Sequence, residues 1–307
     1  MAEPKRSLVL PAILIAAILV GTGVGVYFLY EYNHPKPSAA PWTVEVGSNV
    51  TVNYIGYFGS GPQTGKVFDT SLYSVYLNNA GYPKSLEFDH GTSPANYTPI
   101  GFSIGPNIPA GGYTIGNETF NGAVSGFWKG LLGLEVGQAR TFSFPPSEGY
   151  GFPNPTCYAT QRLVFSVPVL IPLTTSNFAT LYPGVNATPG THFTDPTYGW
   201  DDLVLTVNAT AVVVENLPST GFRVPGLNWP QIVTAVNATT ITVTNQLSPL
   251  NAGLILGHVP ASSAVCGSAK YIISAVNVSG GTYTEDYNSE VTGQTLTFWA
   301  MIVAKYG

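Results

Sequence analysis

The residue types that most often carry out catalysis are scattered in this chain. Its four histidines are isolated from one another, and neither an H-x-x-H nor a C-x-x-C spacing occurs, so a zinc site is not expected. A phosphate-binding loop and a dinucleotide-binding fingerprint are also missing from the sequence. The sequence therefore predicts no cofactor and no metal, and any chemistry must come from other side chains.

The stretch from Val124 to Gly151 has the most regular pattern in the chain. Apolar residues recur at helical spacing over Phe127–Leu132, and Gly133 is a natural helix stop. Phe142 and Phe144 then alternate with polar residues, as in a strand with one apolar side. The pattern predicts a short helix followed by a half-buried strand and a glycine-rich turn that carries a tyrosine.

Three motifs follow one another in the first half of the chain. Val52–Gly56 leads to Gly65–Ser71, then comes Pro99–Gly105, and last the stretch Ala123–Gly151. The first resembles the V-x-Y-x-G…G-x-x-F-D-[ST]-S motif of the FKBP family of peptidyl-prolyl isomerases. The second is similar to the strand that precedes the helix in that family, and the third resembles its V-I-x-G-W…P-x-x-x-x-Y-G motif. The resemblance implies an FKBP-like antiparallel sheet wrapped on one short helix.

The resemblance also implies a pocket for a proline ring. Phe127 would form its floor, Tyr150 would offer its hydroxyl to a substrate carbonyl, and Asp69 would make a polar contact at the rim. The full set of implied pocket residues is Tyr54, Phe68, Asp69, Ile100, Val124, Phe127, Tyr150 and Phe298.

Prolyl isomerisation suits such a pocket, because the reaction needs neither a nucleophile nor a metal. Its barrier of roughly 18–20 kcal/mol comes from amide resonance. A twisted amide separates less charge than a planar one, so an apolar, water-poor pocket binds the transition state better than the substrate.

The pocket departs from the family pattern in three places. Phe127 stands where the family usually has Trp, Ala123-Val124 replaces a Val-Ile pair, and Ile100 replaces a common aromatic residue. The smaller side chains indicate a looser pocket and weak activity, with the fold kept for binding.

The end of the chain decides between two arrangements. In the simple FKBP pattern the closing strand would be 163–170. The C-terminal run Asp286–Val303 instead resembles the ending D-x-N-H-x-L-A-G-x-x-L-x-F-x-V-x-V of the SlyD-like archaeal branch, with a closing strand at 296–303 after an insert-in-flap domain. The SlyD-like arrangement is the favoured one.

The expected fold class is α+β, predominantly β, with an N-terminal transmembrane helix and a β-rich inserted domain. Residues Ser7 to Tyr30 carry no charge and are long enough to span a bilayer, and Lys5 and Arg6 precede them. A cleaved signal peptide is the rival interpretation. The expected segments are a cytoplasmic 1–7, a signal anchor 8–30, a Pro-rich tether 31–42, FKBP-like residues 43–168, an insert 169–290 and a closing strand 291–307.

The segment beyond the anchor carries features of an extracytoplasmic protein. Cys157 and Cys266 would there form a disulfide that ties the flap to the insert, the alternative being two unpaired buried thiols. Candidate N-glycosylation sequons, which a chain rich in Asn, Ser and Thr also produces by chance, occur at Asn49, Asn96, Asn117, Asn186, Asn208, Asn237 and Asn277.

These observations predict a single-pass cell-membrane protein whose folded part faces outward. Its expected activity is that of a prolyl isomerase and folding chaperone, with unfolded or proline-containing polypeptides as clients. Charged residues are only 9% of the chain and its net charge is −5, so nucleic acid is not an expected partner. The alternatives are a catalytically weak binding module in a membrane or cell-surface assembly, and a general surface-layer protein.

Overall fold

The computed structural model describes residues 42–306, which consist mainly of antiparallel strands. Short apolar–polar alternations separated by Gly and Pro produce strands of three to eleven residues. The strands are β1 (Asn49–Phe58), β2 (Val67–Thr70), β3 (Ile100–Ser103), β4 (Tyr113–Ile115), β5 (Glu118–Phe120), β6 (Ala139–Phe144), β7 (Tyr158–Arg162), β8 (Val164–Pro168), β9 (Leu170–Thr174), β10 (His192–Thr194), β11 (Asp201–Val207), β12 (Ala211–Asn216), β13 (Gln231–Val236), β14 (Thr240–Asn245), β15 (Leu256–His258), β16 (Lys270–Asn277), β17 (Thr282–Asp286) and β18 (Leu296–Tyr306).

Helices in the same part of the chain are short. The α-helices are α1 (Tyr73–Leu77), α2 (Ser125–Leu131) and α3 (Thr175–Leu181), and single 3₁₀ turns cover Pro94–Asn96, Pro146–Glu148, Pro155–Cys157, Pro249–Asn251 and Ala261–Ser263. Most of these turns begin with proline, which suits the first helical position because its missing N–H is not needed there.

The predicted fold class, α+β with a transmembrane helix, is wrong. Of the described residues about 40% lie in strands and 13% in helices, so the fold is mostly β. Frequent Gly and Pro limit the α-helices to five or seven residues. Within residues 42–306 no helix is long and apolar enough to cross a membrane. The predicted anchor at 8–30 lies outside the described residues.

The first sheet is built from both ends of the described chain. Its strand order is β2-β1-β18-β6, and β3 also pairs with β1. β18 pairs antiparallel with β1 and, on its other side, with β6. β8, the other candidate for a closing strand, pairs with β14 in a different sheet.

Helix α2 lies close against β6 because two of its residues are glycines. A Cβ atom on Gly126 would come within 2.1 Å of Cγ of Phe144, and one on Gly130 within 2.2 Å of the Phe142 ring. The two glycines therefore allow the helix to pack directly on these rings.

The segment between β6 and β18 forms three small sheets of related construction. β7, β8 and β9 follow one another along the chain, and each pairs with one strand of a later hairpin. β9 pairs with the β11–β12 hairpin, β8 with the β13–β14 hairpin and β7 with the β16–β17 hairpin. The hairpins thus pair with the outgoing strands in reverse order.

Candidate functional site

A cluster of aromatic rings lies where the first sheet meets α2. Tyr54 of β1, Phe68 of β2, Phe127 of α2 and Phe298 of β18 come together there. The ring centroids are 6.0 Å apart for Tyr54 and Phe127, 4.9 Å for Phe127 and Phe298, and 5.5 Å for Phe68 and Phe298. Edge-on and tilted contacts of this length are favourable for aromatic pairs.

Gly56 makes the cluster possible. It lies two residues after Tyr54 in β1, and its partner across the sheet is Phe298. A Cβ atom at this position would come within 2.6 Å of the Phe68 ring and 3.0 Å of the Phe298 ring. Only glycine leaves room for both rings on this face of the strand.

A chain of hydrogen bonds runs from the cluster to the loop between β2 and β3. The Tyr54 hydroxyl donates to Oδ2 of Asp69 over 2.7 Å. Oδ1 of Asp69 lies 3.0 Å from Nδ1 of His90. Nε2 of His90 in turn lies 2.8 Å from the backbone carbonyl oxygen of Asn96. The Asp69 carboxylate is therefore held from two sides.

Both tyrosines beside Asp69 remain protonated at ordinary pH. Burial raises the pKa of Tyr54, and the neighbouring Asp69 carboxylate raises it further. The pKa of Tyr150 is raised by the same two causes, burial first. Each phenol can therefore act as a hydrogen-bond donor and does not act as a base.

An open cleft of about 300 Å³ lies next to the aromatic cluster. The first sheet contributes Phe68 and Asp69, the β2–β3 loop contributes acidic residues and a histidine, and the segment before β18 forms the opposite side. The lining residues are Phe68, Asp69, Glu87, Asp89, His90, Tyr150, Ser289, Glu290 and Val291.

The predicted pocket residues fall into three groups in the structure. Phe68, Asp69 and Tyr150 line the cleft, and the Tyr150 side chain is 51% exposed at its edge. Tyr54, Phe127 and Phe298 belong to the aromatic cluster and do not line the cleft, but Tyr54 contacts Asp69 and Phe298 contacts Phe68. Ile100 of β3 and Val124, which precedes α2, are partly buried and do not line the cleft.

The prediction of the site missed several residues that the structure brings to it. Phe102 lies 4.9 Å from Phe127, and Phe144 lies 5.7 Å from Phe298, between ring centroids. Their alternation with polar residues indicated an apolar face and was the available signal. His90 had no such signal, because a single histidine in a long loop has no pattern around it.

A serine in a G-x-S-x-G spacing, Ser103, does not form a hydrolase site. Ser103 is the last residue of β3 and only 3% exposed, and its hydroxyl donates to Oδ1 of Asn49 over 2.6 Å. A nucleophile of this motif needs an exposed hydroxyl at a strand-to-helix turn. Ser103 therefore has a structural role.

The remaining predicted sites are not among the residues that line the cleft. Cys157 and Cys266 are joined by a disulfide. The sequon residues Asn208, Asn237 and Asn277 are exposed at the tips of the three hairpins. Asn117 and Asn186 are exposed elsewhere, Asn49 is partly buried, and Asn96 donates its side-chain amide to the carbonyl of His90. No group of three or more metal-ligating side chains occurs in the described part of the chain.

Comparison with known proteins gives one informative relative. No protein-family model matches the chain. The short-type peptidyl-prolyl cis-trans isomerase of Methanocaldococcus jannaschii is 30% identical to it over 126 residues, which are 41% of this chain and 58% of the relative. The chain is similar to a prolyl isomerase. The match spans little more than half of that relative's length. The similarity supports the resemblance of the three motifs to the FKBP family.

Proposed function

We propose that this protein is a peptidyl-prolyl cis-trans isomerase that acts on X-Pro bonds of client polypeptides. The observation that carries the proposal is the contact between the aromatic cluster and the cleft: Tyr54 donates to Asp69 and Phe298 packs against Phe68, and both Asp69 and Phe68 line the cleft. The similarity to the isomerase of Methanocaldococcus jannaschii supports the same class of activity.

The proposed catalysis rests on preferential binding of a twisted amide. A proline ring enters the cleft and packs against Phe68, above the rings of Phe127 and Phe298. Those apolar rings keep water away from the amide, and loss of water favours the less polar, twisted state. A differential stabilisation of about 5–7 kcal/mol corresponds to an acceleration of roughly 10⁴–10⁵-fold.

Two polar side chains orient the client in this scheme. Tyr150 donates its hydroxyl to a client carbonyl, since its raised pKa keeps the phenol protonated. Asp69, fixed by Tyr54 and His90, accepts a hydrogen bond from a client backbone N–H at the rim. Neither group reacts covalently with the substrate.

The activity is tested by a protease-coupled isomerisation assay on a short X-Pro peptide with the full chain. We expect catalysis by the wild-type protein and a loss of roughly 10-fold or more in Phe127→Ala and Tyr150→Phe. Tyr113→Phe is the matched control, because Tyr113 is 48% exposed and lies in the β4–β5 hairpin. Equal activity in all four proteins, or none in the wild type, contradicts the proposal.

The proposed setting is extracytoplasmic folding of client proteins. The Cys157–Cys266 disulfide supports this, because structural disulfides persist mainly in oxidising compartments. Unfolded, proline-containing chains are the proposed clients, and the three hairpin sheets of residues 158–286 are the proposed surface for holding them. Suppression of aggregation of a denatured client by the full chain is the measurement, and unchanged aggregation contradicts the chaperone role.

A catalytically weak binding module is the second candidate function. It is favoured by the burial of the cluster, because Phe127 and Phe298 are only 3% and 4% exposed. A proline ring would then contact mainly Phe68 and Tyr150 and would gain less binding energy from Phe127 and Phe298. Binding of X-Pro peptides without catalysis, together with a co-purifying partner of fixed stoichiometry, would favour this role in a membrane or cell-surface assembly.

A further inference from the structure

His90 lies between two hydrogen-bond acceptors. Nδ1 of its ring is 3.0 Å from Oδ1 of Asp69, and Nε2 is 2.8 Å from the carbonyl oxygen of Asn96. A backbone carbonyl and an ionised carboxylate can only accept hydrogen bonds. Both contacts are hydrogen bonds only if both ring nitrogens carry a proton, and a histidine with two N–H groups is an imidazolium cation.

We propose that His90, in its imidazolium form, is a positioning residue of the candidate site. A neutral imidazole has one N–H, so it can satisfy Asp69 or Asn96 but not both. Both contacts are therefore made together only while the ring carries two N–H groups. This inference rests on the proposed function.

The His90 imidazolium contacts both the Asp69 carboxylate and the β2–β3 loop. It holds Oδ1 of Asp69, while Tyr54 donates to Oδ2 of the same carboxylate. It also holds the β2–β3 loop against the first sheet, because the Asn96 side chain donates back to the carbonyl of His90. The ring of Tyr97 lies 4.8 Å from the imidazole, and its hydroxyl donates to the carbonyl of Gly91. One side of the cleft is therefore built around His90.

The charges around His90 come from several elements. Asp69 faces it from β2, with Tyr54 of β1 behind that carboxylate, and Tyr97 contacts it from the loop itself. Asp89, Glu87, Glu290 and Tyr150 share the cleft lining with it, and Lys270 is paired with Asp89 over 3.9 Å. The surroundings are thus mainly acidic and suit a cation.

The expected consequence concerns client affinity more than turnover. Asp69 is the proposed rim contact for the client, and the floor rings do not depend on His90. Loss of the imidazolium should therefore raise KM by roughly 3- to 10-fold, the range for one hydrogen bond, with little change in kcat.

The test combines kinetics with the protonation state of the ring. KM and kcat of isomerisation by the full chain are measured separately for the wild type, His90→Gln and His192→Gln. His192 is the matched control, because it pairs with Asp201 over 2.8 Å in an exposed position on β10 and β11. The ¹⁵N chemical shifts of the His90 ring are measured in the wild type under the same conditions.

We expect a raised KM with little change in kcat in His90→Gln, wild-type values in His192→Gln, and two protonated His90 nitrogens in the wild type. A KM in His90→Gln equal to that of the wild type, or a His90 ring nitrogen without a proton, overturns the inference. If the wild type shows no catalysis, the proposed function fails, and the nitrogen shifts alone then decide whether His90 holds Asp69.

Discussion

At the scale of single residues, the candidate site shows what a sequence can reveal. Tyr54, Phe68 and Phe298 lie on three strands, and the structure brings their rings within 6.0 Å of a neighbour in the cluster. The family resemblance of the motifs named all three residues, whereas strand alternation alone predicts only which residues of one strand share a face. The role of His90 was not accessible from the sequence, because it depends on the path of a loop that has no period.

A buried carboxylic acid provides the clearest pH-dependent prediction. Asp202 of β11 is completely buried, and its neighbour Asp195 is 5% exposed. Burial, and then the charge of Asp195, raises the pKa of Asp202 from its ordinary 3.8 to about 8. The folded protein therefore keeps a proton on Asp202 that the unfolded chain has already released.

The sign of the effect follows from that proton. Between the unfolded pKa of 3.8 and the folded pKa of about 8, the native state binds more protons than the unfolded state. The free energy of unfolding must therefore fall as the pH rises through this window, and the contribution is fully present only below it.

Urea unfolding from about pH 4 to about pH 8 tests this prediction. Asp202→Asn should remove most of the decline, because an amide cannot ionise. Asp201→Asn is the control, since Asp201 is the exposed neighbour that pairs with His192, and it should retain the decline. A wild-type stability that is flat or rises across the window would contradict the raised pKa.

At the scale of elements, the three hairpins repeat one construction. Trp200 donates its indole N–H to Asn216, and Trp229 does the same to Asn245, and the two partners are 16 positions apart in each case. Each hairpin also contains a β-bulge in its first strand.

The tetrapeptide Val-Asn-[Ala/Val]-[Thr/Ser] occurs at the tip of each of the three hairpins, at 207–210, 236–239 and 276–279. Asn208 and Asn237 each accept hydrogen bonds from the backbone N–H groups two and three residues later, which closes the turn. The recurring Val-Asn-[Ala/Val]-[Thr/Ser] tetrapeptide is therefore a turn motif whether or not a glycan is attached. The strands themselves were visible as alternation. Their division into three sheets was not, since pairing with β7, β8 and β9 joins residues far apart in sequence.

Helix α2 provides a prediction in which packing opposes helix propensity. Gly130→Ala should raise intrinsic helix stability by about 1 kcal/mol. The new methyl group, however, would collide with the Phe142 ring at 2.2 Å. Overpacking of this kind costs about 1–3 kcal/mol, so a net loss of stability is expected.

Chemical denaturation of the wild type and of Gly130→Ala measures the balance between helix propensity and overpacking. Lys129→Ala on the same helix is a suitable control, because Lys129 is exposed and pairs with Glu148 at the surface, where such pairs contribute little. A Gly130→Ala protein more stable than the wild type would show that the helix can move away from β6.

At the scale of the whole molecule, the chain leaves the first sheet after β6 and returns to it at β18. Tyr158 pairs with Asp286, and the backbone N–H of Tyr287 donates to the carbonyl of Cys157. The backbone N–H of Gly293 likewise donates to the carbonyl of Gly151. The outgoing and returning segments therefore run side by side, and β18 can take its place between β1 and β6.

The disulfide acts on the long segment between β6 and β18. Cys157 lies where the outgoing and returning segments pair, whereas Cys266 lies 109 residues later, before β16. Closing so long a loop restricts the unfolded chain, and native disulfides of this kind contribute about 2–4 kcal/mol. Reduction should therefore lower the free energy of unfolding by about that amount.

The same reduction should leave the candidate site unchanged. Asp69, His90 and Tyr150 precede Cys157 in the chain, and the hydrogen bonds that hold Asp69 and His90 do not involve the disulfide. Denaturation with and without reductant, compared with a Cys157→Ser/Cys266→Ser double variant, measures the stability, and X-Pro peptide binding measures the site. An unchanged denaturation midpoint would contradict the stabilising role, whereas peptide binding that disappears on reduction would show that the cleft depends on the segment the disulfide closes.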